Sequence, residues 1–313
     1  MATSSDPRHG ARTPIVPAFA RTAAGSLALQ FADAAKWCVL RSYPLFERTV
    51  AAPTPRWAEP LGARAALRAA LHAYRRVPAY REFVDGSGWS DDPRLTAGGR
   101  LARLPTTDKE RYIRAYPTAA RCLDGYIPLI GTEIDESSGS SGVPFNWVRS
   151  AEELTEMHRE LSQFARYLFA GEVVTLNGFS MGAWSTGVNT AEALRRNGIV
   201  KSPGPDTEKI VDTMRFLGPS YVYVITGYPP FLRALLEYGD AVGHDWRPYR
   251  MFGVVGGEGM SEQLRDRLLR RFVGVYSAYG ASDLDIGVAA ETPASIWLRR
   301  RAADDPELRG RLF

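Results

Sequence analysis

From residue 173 onward, short apolar runs alternate with helical stretches, and no other feature of the chain narrows its possible folds so far. Val173 to Leu176, Ile199–Val200, Tyr221 to Ile225, Phe252 to Val255, Val273 to Tyr276 and Ile286 to Ala289 read as strands. Helices are expected over Ala191 to Arg196, over Glu208 to Leu217, from Pro229 to Tyr238, and after a cap at Ser261 with Glu262 in the first turn. The strands are close to continuously apolar, which implies a sheet covered on both faces. The expected class is therefore α/β, with mostly parallel sheet flanked by helices.

The chain before this region reads differently. Leu27 to Phe83 is dominated by Ala, Leu and Arg, and Pro53, Pro55 and Pro60 are expected to break it into separate helices. Thr107 to Glu110 and Ser150 to Glu153 have the form of capping boxes, with Thr107 and Ser150 as the caps. The second opens a helix whose inward face is expected to carry Leu154, Met157, Leu161, Phe164 and Leu168. Residues 1–25 read as a polar, disordered lead-in without the apolar stretch of a secretory signal. Residues 26–313 read as one domain, with a helical leading segment over about 27–125 and the α/β region over about 126–313.

Composition excludes several classes of partner. Only four of the 39 basic residues are lysines (Lys36, Lys109, Lys201, Lys209), and the arginines are scattered. No basic stripe is interleaved with aromatics, so nucleic acid is not an expected partner. The Arg299 to Arg301 run reads as an exposed helix face. No apolar run approaches the ~18 residues of a membrane span. Cys38 and Cys122 have no metal-ligand spacing and read as reduced thiols of a cytoplasmic protein.

The sharpest local motif is Ser137-Ser138-Gly139-Ser140-Ser141-Gly142, followed by Val143-Pro144. Gly139 and Gly142 permit positive φ and close backbone approach. Successive N–H groups and hydroxyls can then form an anion-binding concavity. No Gly-Lys-Ser/Thr follows, so it is not a Walker A loop. Three further segments sit at strand ends, where open α/β sheets bind ligands. They are Thr226-Gly227-Tyr228-Pro229-Pro230, Gly256-Gly257-Glu258, and Ser277 to Asp283. The last offers Tyr279 for stacking on a base, Gly280 for a tight turn, the Ser282 hydroxyl, and Asp283 as a Mg²⁺ ligand.

In order and spacing these segments resemble the phenylacetate–CoA ligase branch of the adenylate-forming superfamily. Val77-Pro78-Ala79-Tyr80-Arg81 and Leu104 to Lys109 look like that branch's leading signatures, and Ser137 to Pro144 looks like its phosphate-binding loop. Gly256-Gly257-Glu258 and Tyr279 to Asp283 look like its two adenylate motifs, the second of which usually ends Thr-Glu rather than Ser282-Asp283. The resemblance implies ATP-dependent conversion of a carboxylic acid to an acyl-adenylate, then transfer to the thiol of coenzyme A or an acyl carrier protein. Ser137 to Gly142 would hold the β- and γ-phosphates. Gly256, Gly257, Glu258, Tyr279 and Gly280 would bind the nucleotide, Ser282 would face the α-phosphate, and Asp283 would bind Mg²⁺. Phe179, Met181, Trp184 and Tyr228 would line the acid pocket. The family continues with a small domain carrying a catalytic Lys, so the resemblance also implies an incomplete N-terminal part, without its C-terminal subdomain.

Two rival readings have a basis in the residues. Gly178-Phe179-Ser180-Met181-Gly182 matches the nucleophile elbow of α/β-hydrolases. Against it, Trp184 to Gly187 reads as loop, and His244 is the one histidine that follows Ser180. The other rival is a nucleotide-binding remnant without turnover.

Overall fold

The computed structural model describes residues 31, 34–52, 58–137 and 144–312. They divide into two compact units. One comprises Arg48–Ile127 with the residues before Leu40, and the other comprises Leu40–Glu47 with the chain from Pro128 onward.

The leading segment holds helices α1 (Tyr43–Ala51), α2 (Ala58–Arg76), α3 (Pro78–Gly86) and α4 (Ala97–Leu101). Pro60 does not break a helix, contrary to expectation. It lies in the first turn of α2, where a missing N–H costs no hydrogen bond. Pro53 and Pro55 lie outside the described residues. The cap expected at Thr107 is instead Asp108, whose carboxylate accepts from the Arg111 N–H at 2.7 Å. Glu110 pairs with Arg114 rather than closing the box. Leu67, Ala79, Phe83 and Val84 are buried here. The Arg100 guanidinium grips Asp91 through two bonds, 2.7 and 2.6 Å long, with little exposure on either side chain.

In the second unit, β1 (Glu133–Glu136) and β2 (Asn146–Arg149) form an antiparallel hairpin. A six-stranded sheet follows, made of β3 (Val173–Asn177), β4 (Gly198–Lys201), β5 (Val222–Gly227), β6 (Arg250–Val255), β7 (Gly274–Ala281) and β8 (Asp285–Ala290). The spatial order is β4-β3-β5-β6-β7-β8. All pairings are parallel except β7 with β8. The remaining helices are α5 (Ala151–Phe169), α6 (Ser185–Leu194), α7 (Thr207–Leu217), α8 (Pro229–Ala241), α9 (Glu262–Leu268), α10 (Pro293–Asp304) and α11 (Pro306–Leu312). The unit is thus α/β, with a mostly parallel sheet flanked by helices.

Side chains alternate across the strands and feed two cores. Val174, Leu176, Tyr223, Ile225, Met251 and Val255 pack with Ile210 and Met214 of α7, Leu232 and Leu235 of α8, and Leu268 of α9. Val173, Val224, Phe252 and Tyr276 point the other way, onto Ala165 and Phe169 of α5 and Leu194 of α6. Right-handed crossovers require this division. The β3–β4 connection winds in one direction and every later one in the opposite direction, so α6 lies across the sheet from α7, α8 and α9.

Two local expectations are corrected. The buried stripe of α5 is Met157, His158, Ser162, Ala165 and Phe169, while Leu154, Leu161, Phe164 and Leu168 are half-buried. His158 and Ser162 turn inward because Asn189 and Asn197 satisfy them, at 2.7 and 2.9 Å. Ser150 caps α5 by accepting from the Glu153 N–H at 3.2 Å, but the Glu153 carboxylate serves Arg149 instead of completing the box. The Arg299 to Arg301 run lies on an exposed helix face, as expected, and two of its members are ion-paired. Arg299 pairs with Glu262 and Glu291, and Arg300 with Glu262 and Asp266.

Ile225 is fully buried at the centre of the sheet. Replacing it with Ala should cost about 2–5 kcal/mol, seen as a lower midpoint of denaturant unfolding with an unchanged slope.

Candidate functional site

The sheet reverses its winding between β3 and β5, with β4 on one side of β3 and all later strands on the other. Chain segments leaving adjacent strands at such a point diverge and open a crevice at the C-terminal strand ends. The loop after β3 runs from Gly178 to Trp184, and Tyr228 follows β5. Gly256-Gly257-Glu258 follows β6, and Ser282-Asp283-Leu284 is the turn from β7 to β8.

The first three segments are stitched together. Gly178 N–H donates to Thr226 O at 2.9 Å, and Gly256 N–H donates to Gly227 O at 3.3 Å. Phe179 is buried and meets Tyr228 edge-on, with ring centroids 5.8 Å apart at 88°. The Tyr228 ring in turn lies over Gly257, where an added Cβ would come 2.3 Å from a ring carbon. Gly257 also has φ +86°, a conformation that favours glycine. Phe179, Tyr228, Gly256 and Gly257 therefore form one packed group. Met181 touches the Asn177 amide at 3.5 Å, and Trp184 is about one-third exposed at the N-cap of α6.

The segment around Tyr279 differs from expectation. Ser277 to Ala281 does not follow the strand but belongs to β7, which pairs with β8 through Ala278 opposite Ala290 and Tyr279 opposite Ala289. The antiparallel return of β8 extends the strand. At Gly280 an added Cβ would stand 2.2 Å from Ile286 O, so only glycine fits. Tyr279 is 60% exposed, and Asp283 is exposed at the tip of the turn.

Ser138 to Val143 lie outside the described residues. Their two flanks do not. Ser137 N–H donates to Phe145 O at 2.9 Å, and the Ser137 hydroxyl accepts from Phe145 N–H at 3.0 Å, which closes the hairpin stem. Glu136 N–H donates to Ala183 O at 3.0 Å, so the stem is fastened to the loop after β3, next to Trp184.

Two polar residues absent from the sequence-derived site hold these segments. Asn177 is fully buried at the end of β3. Its Oδ1 accepts from Thr226 Oγ1 at 2.8 Å and from Phe179 N–H at 3.3 Å, and its Nδ2 donates to Gly187 O at 2.8 Å. Arg149, at the end of β2, is buried beside Asp135 and reaches the β7–β8 turn. A polar residue closing the apolar run Val173 to Leu176 was a readable signal for Asn177; Arg149 carried none.

Around the hairpin the electrostatics are set by burial. Burial raises the Asp135 carboxyl above its ordinary value despite Arg149, and burial together with Asp135 raises Glu133. For Arg149, burial pulls downward, but Glu153 and Asp135 raise it overall. Among the described residues, no group of three or more His, Cys, Asp or Glu side chains could hold a metal. One carboxylate such as Asp283 would suffice for an ion like Mg²⁺ that takes few protein ligands.

The elbow geometry around Ser180 is not that of a hydrolase. Trp184 to Gly187 is not all loop, because α6 begins at Ser185, yet Ser180 sits well short of it in a loop. Asp124 and Ala170 are the described non-glycine residues with positive φ, so Ser180 lacks the strained turn of an elbow. His158 spends Nε2 on Asn189, and His244 precedes β6, at the opposite edge of the sheet.

Asn177→Ala removes the partner of two buried donors. Stability should fall by about 1–3 kcal/mol, with faster amide exchange at Phe179. A raised carboxyl pKa lowers stability as pH rises, because the unfolded chain releases its proton first. Glu133→Gln should therefore lessen the loss of stability from pH 4.5 toward neutrality, measured by denaturant unfolding at both ends.

No family model matches the chain, and no curated protein does. Solved structures do. An open conformation of 2-hydroxyisobutyryl-CoA ligase in complex with 2-HIB-AMP and CoA superimposes with TM-score 0.62 and 15% identity, over 75% of this chain and 56% of that one. The same ligase in the thioesterification state gives TM-score 0.65 and 15% identity, over 77% and 53%. Its postadenylation state gives TM-score 0.61 and 15% identity, over 75% and 51%. The chain spans about half the length of the solved structures it matches. It therefore shares its fold with part of an acyl-CoA ligase.

Proposed function

We propose that this chain supplies the ATP- and acid-binding part of an enzyme that activates a carboxylic acid as its acyl-adenylate. The acyl group then passes to the thiol of coenzyme A or a carrier protein. One observation carries the reading. The loop after β3, Tyr228 after β5 and Gly256-Gly257-Glu258 after β6 border the C-terminal edge of one parallel sheet, beside its reversal of winding, and that is where open α/β sheets bind ligands. Likeness in fold to a ligase solved with 2-HIB-AMP and CoA supports it.

In this reading the acid's carboxylate oxygen attacks the α-phosphorus of ATP, and the bond to pyrophosphate breaks. No activated Ser or Cys is required. Catalysis rests on holding the two reactants in line and on meeting charge at phosphorus. Ser137 to Gly142 hold the β- and γ-phosphates through hydroxyl and N–H donors, Ser137 through its hydroxyl alone because its N–H is bonded to Phe145 O. Gly256, Gly257, Glu258 and Gly280 border the adenine, and the exposed Tyr279 ring stacks on it. Ser282 faces the α-phosphate. Mg²⁺, held by Asp283, offsets phosphate charge when bound. Phe179, Met181, Trp184 and Tyr228 border the acid.

Titration with ATP in the presence and absence of Mg²⁺ tests the reading. Asp283→Asn should weaken Mg²⁺-dependent ATP binding about tenfold, or ~1.4 kcal/mol, with little change for AMP. Pyrophosphate release by the full-length protein over a panel of acids tests turnover. Absence of both nucleotide binding and release would remove the proposal, while ester hydrolysis abolished by Ser180→Ala would replace it with the hydrolase.

A further inference from the structure

We infer that Glu291 is a positioning residue, setting the direction of the β7–β8 ribbon that carries Tyr279. The inference rests on the function proposed above, in which Tyr279 stacks on the adenine, and deepens it.

Strand β7 has a neighbour on each side only as far as Ser277, which lies opposite Val255 of β6. Ala278 to Ala281 continue past the end of β6 and pair with β8 alone. A ribbon of two strands has little stability of its own. Its course is therefore decided by what grips its two ends. The turn at the far end is held by Arg149, which donates to Ser282 O and, at 3.4 Å, to Leu284 O.

The near end is held by Glu291, the residue that follows β8. Its N–H donates to Ser277 O at 2.9 Å. A regular antiparallel ladder would return a bond from Ser277 N–H to the Glu291 carbonyl. Here the chain turns away toward α10, and the Glu291 side chain takes the place of that carbonyl. Its Oε2 accepts from Ser277 N–H at 2.7 Å. The same oxygen accepts from Arg265 Nη2 at 2.7 Å, and Oε1 meets Arg299 Nη2 at 2.8 Å. Arg265 also donates from Nη1 to Val275 O. Its side chain is only 1% exposed, so a charged partner is needed there rather than any acceptor. Helix α9 and both strands of the ribbon thus meet at one carboxylate.

On its other side the ribbon touches Gly256, where an added Cβ would stand 3.2 Å from Ala278 O. Ala278 is confined between the Glu291 bonds at Ser277 and the segment after β6, and Tyr279 is the next residue. The carboxylate therefore fixes the backbone from which the exposed Tyr279 ring projects.

Adenosine has no phosphate, so its affinity reports on the surface that stacks the base. The experiment titrates adenosine into the wild-type chain, Glu291→Ala, Tyr279→Ala and the double variant, with thermal unfolding and hydrogen exchange across 277–281. Tyr279→Ala should weaken binding about tenfold. Glu291→Ala should stay folded, lose about fivefold in affinity, exchange faster across 277–281, and add nothing further in the Tyr279→Ala background. Glu291→Gln should recover most of the affinity, because its amide carbonyl can occupy the position of Oε2. A general weakening of the fold would instead repeat its loss in both backgrounds. Unchanged adenosine affinity in Glu291→Ala, a loss that repeats in the Tyr279→Ala background, or unchanged exchange would each overturn the inference. A wild-type chain that binds ATP but not adenosine overturns this role and leaves the proposed function standing, whereas one that binds neither overturns both. Should Glu291→Ala fail to fold, Glu291→Gln takes its place in the cycle. A loss of about twofold is then expected, and equal affinity overturns the inference.

Discussion

Where a parallel sheet reverses its winding, the backbone leaving the two central strands has no regular partner. In this chain the buried amide of Asn177 answers that need. It bonds the exits of β3 and β5 and the first turn of α6 at once. Without it, a buried hydroxyl and a buried N–H would face each other with no acceptor, which is costly in an apolar surrounding. The aromatic part of the proposed site hangs from those exits. Phe179, Tyr228 and the paired glycines pack where they do because the strands end in register at that point.

A second polar group stands behind a different part of the same edge. The β1–β2 hairpin is too short to have a core of its own. It is held instead by a buried set of ionic and amide groups: Glu133, Asp135, Arg149, His158 and Asn189. Such a set specifies one geometry more sharply than apolar contact does, provided its members are satisfied. An apolar floor under β3, β5 and β6 and a polar clasp under the hairpin thus divide the task of holding the segments.

Much of the sheet was legible in the sequence. The apolar runs at Val173, Tyr221 and Phe252 mark strands β3, β5 and β6, because strands buried on both faces leave little choice of residue type. Boundaries set by tertiary contact were not legible. Ser277 to Ala281 read as a loop of small and polar residues, and becomes strand because β8 folds back to pair with it. The inward stripe of α5 was read from leucines, whereas His158 and Ser162 take inward positions by bonding asparagines on other elements. Around the proposed site, the glycine and aromatic motifs stood out by composition. Arg149 did not, since nothing near it in sequence reveals that its acceptors lie far along the chain.

That distance has a consequence for how the molecule comes together in time. Arg149 and Ser282 O are 133 residues apart in sequence. A ribosome working from the amino end makes the hairpin before any strand of the large sheet, and the carbonyls that complete the clasp are made only after strands β3 to β7. Until then the guanidinium keeps its water, because burying it with only part of its acceptors is unfavourable. Contacts of such long separation also carry the greatest loop-closure entropy and form late. The hairpin is thus made early and fastened late, and a nascent chain halted before residue 282 has the residues of strands β3 to β7 but not the clasp.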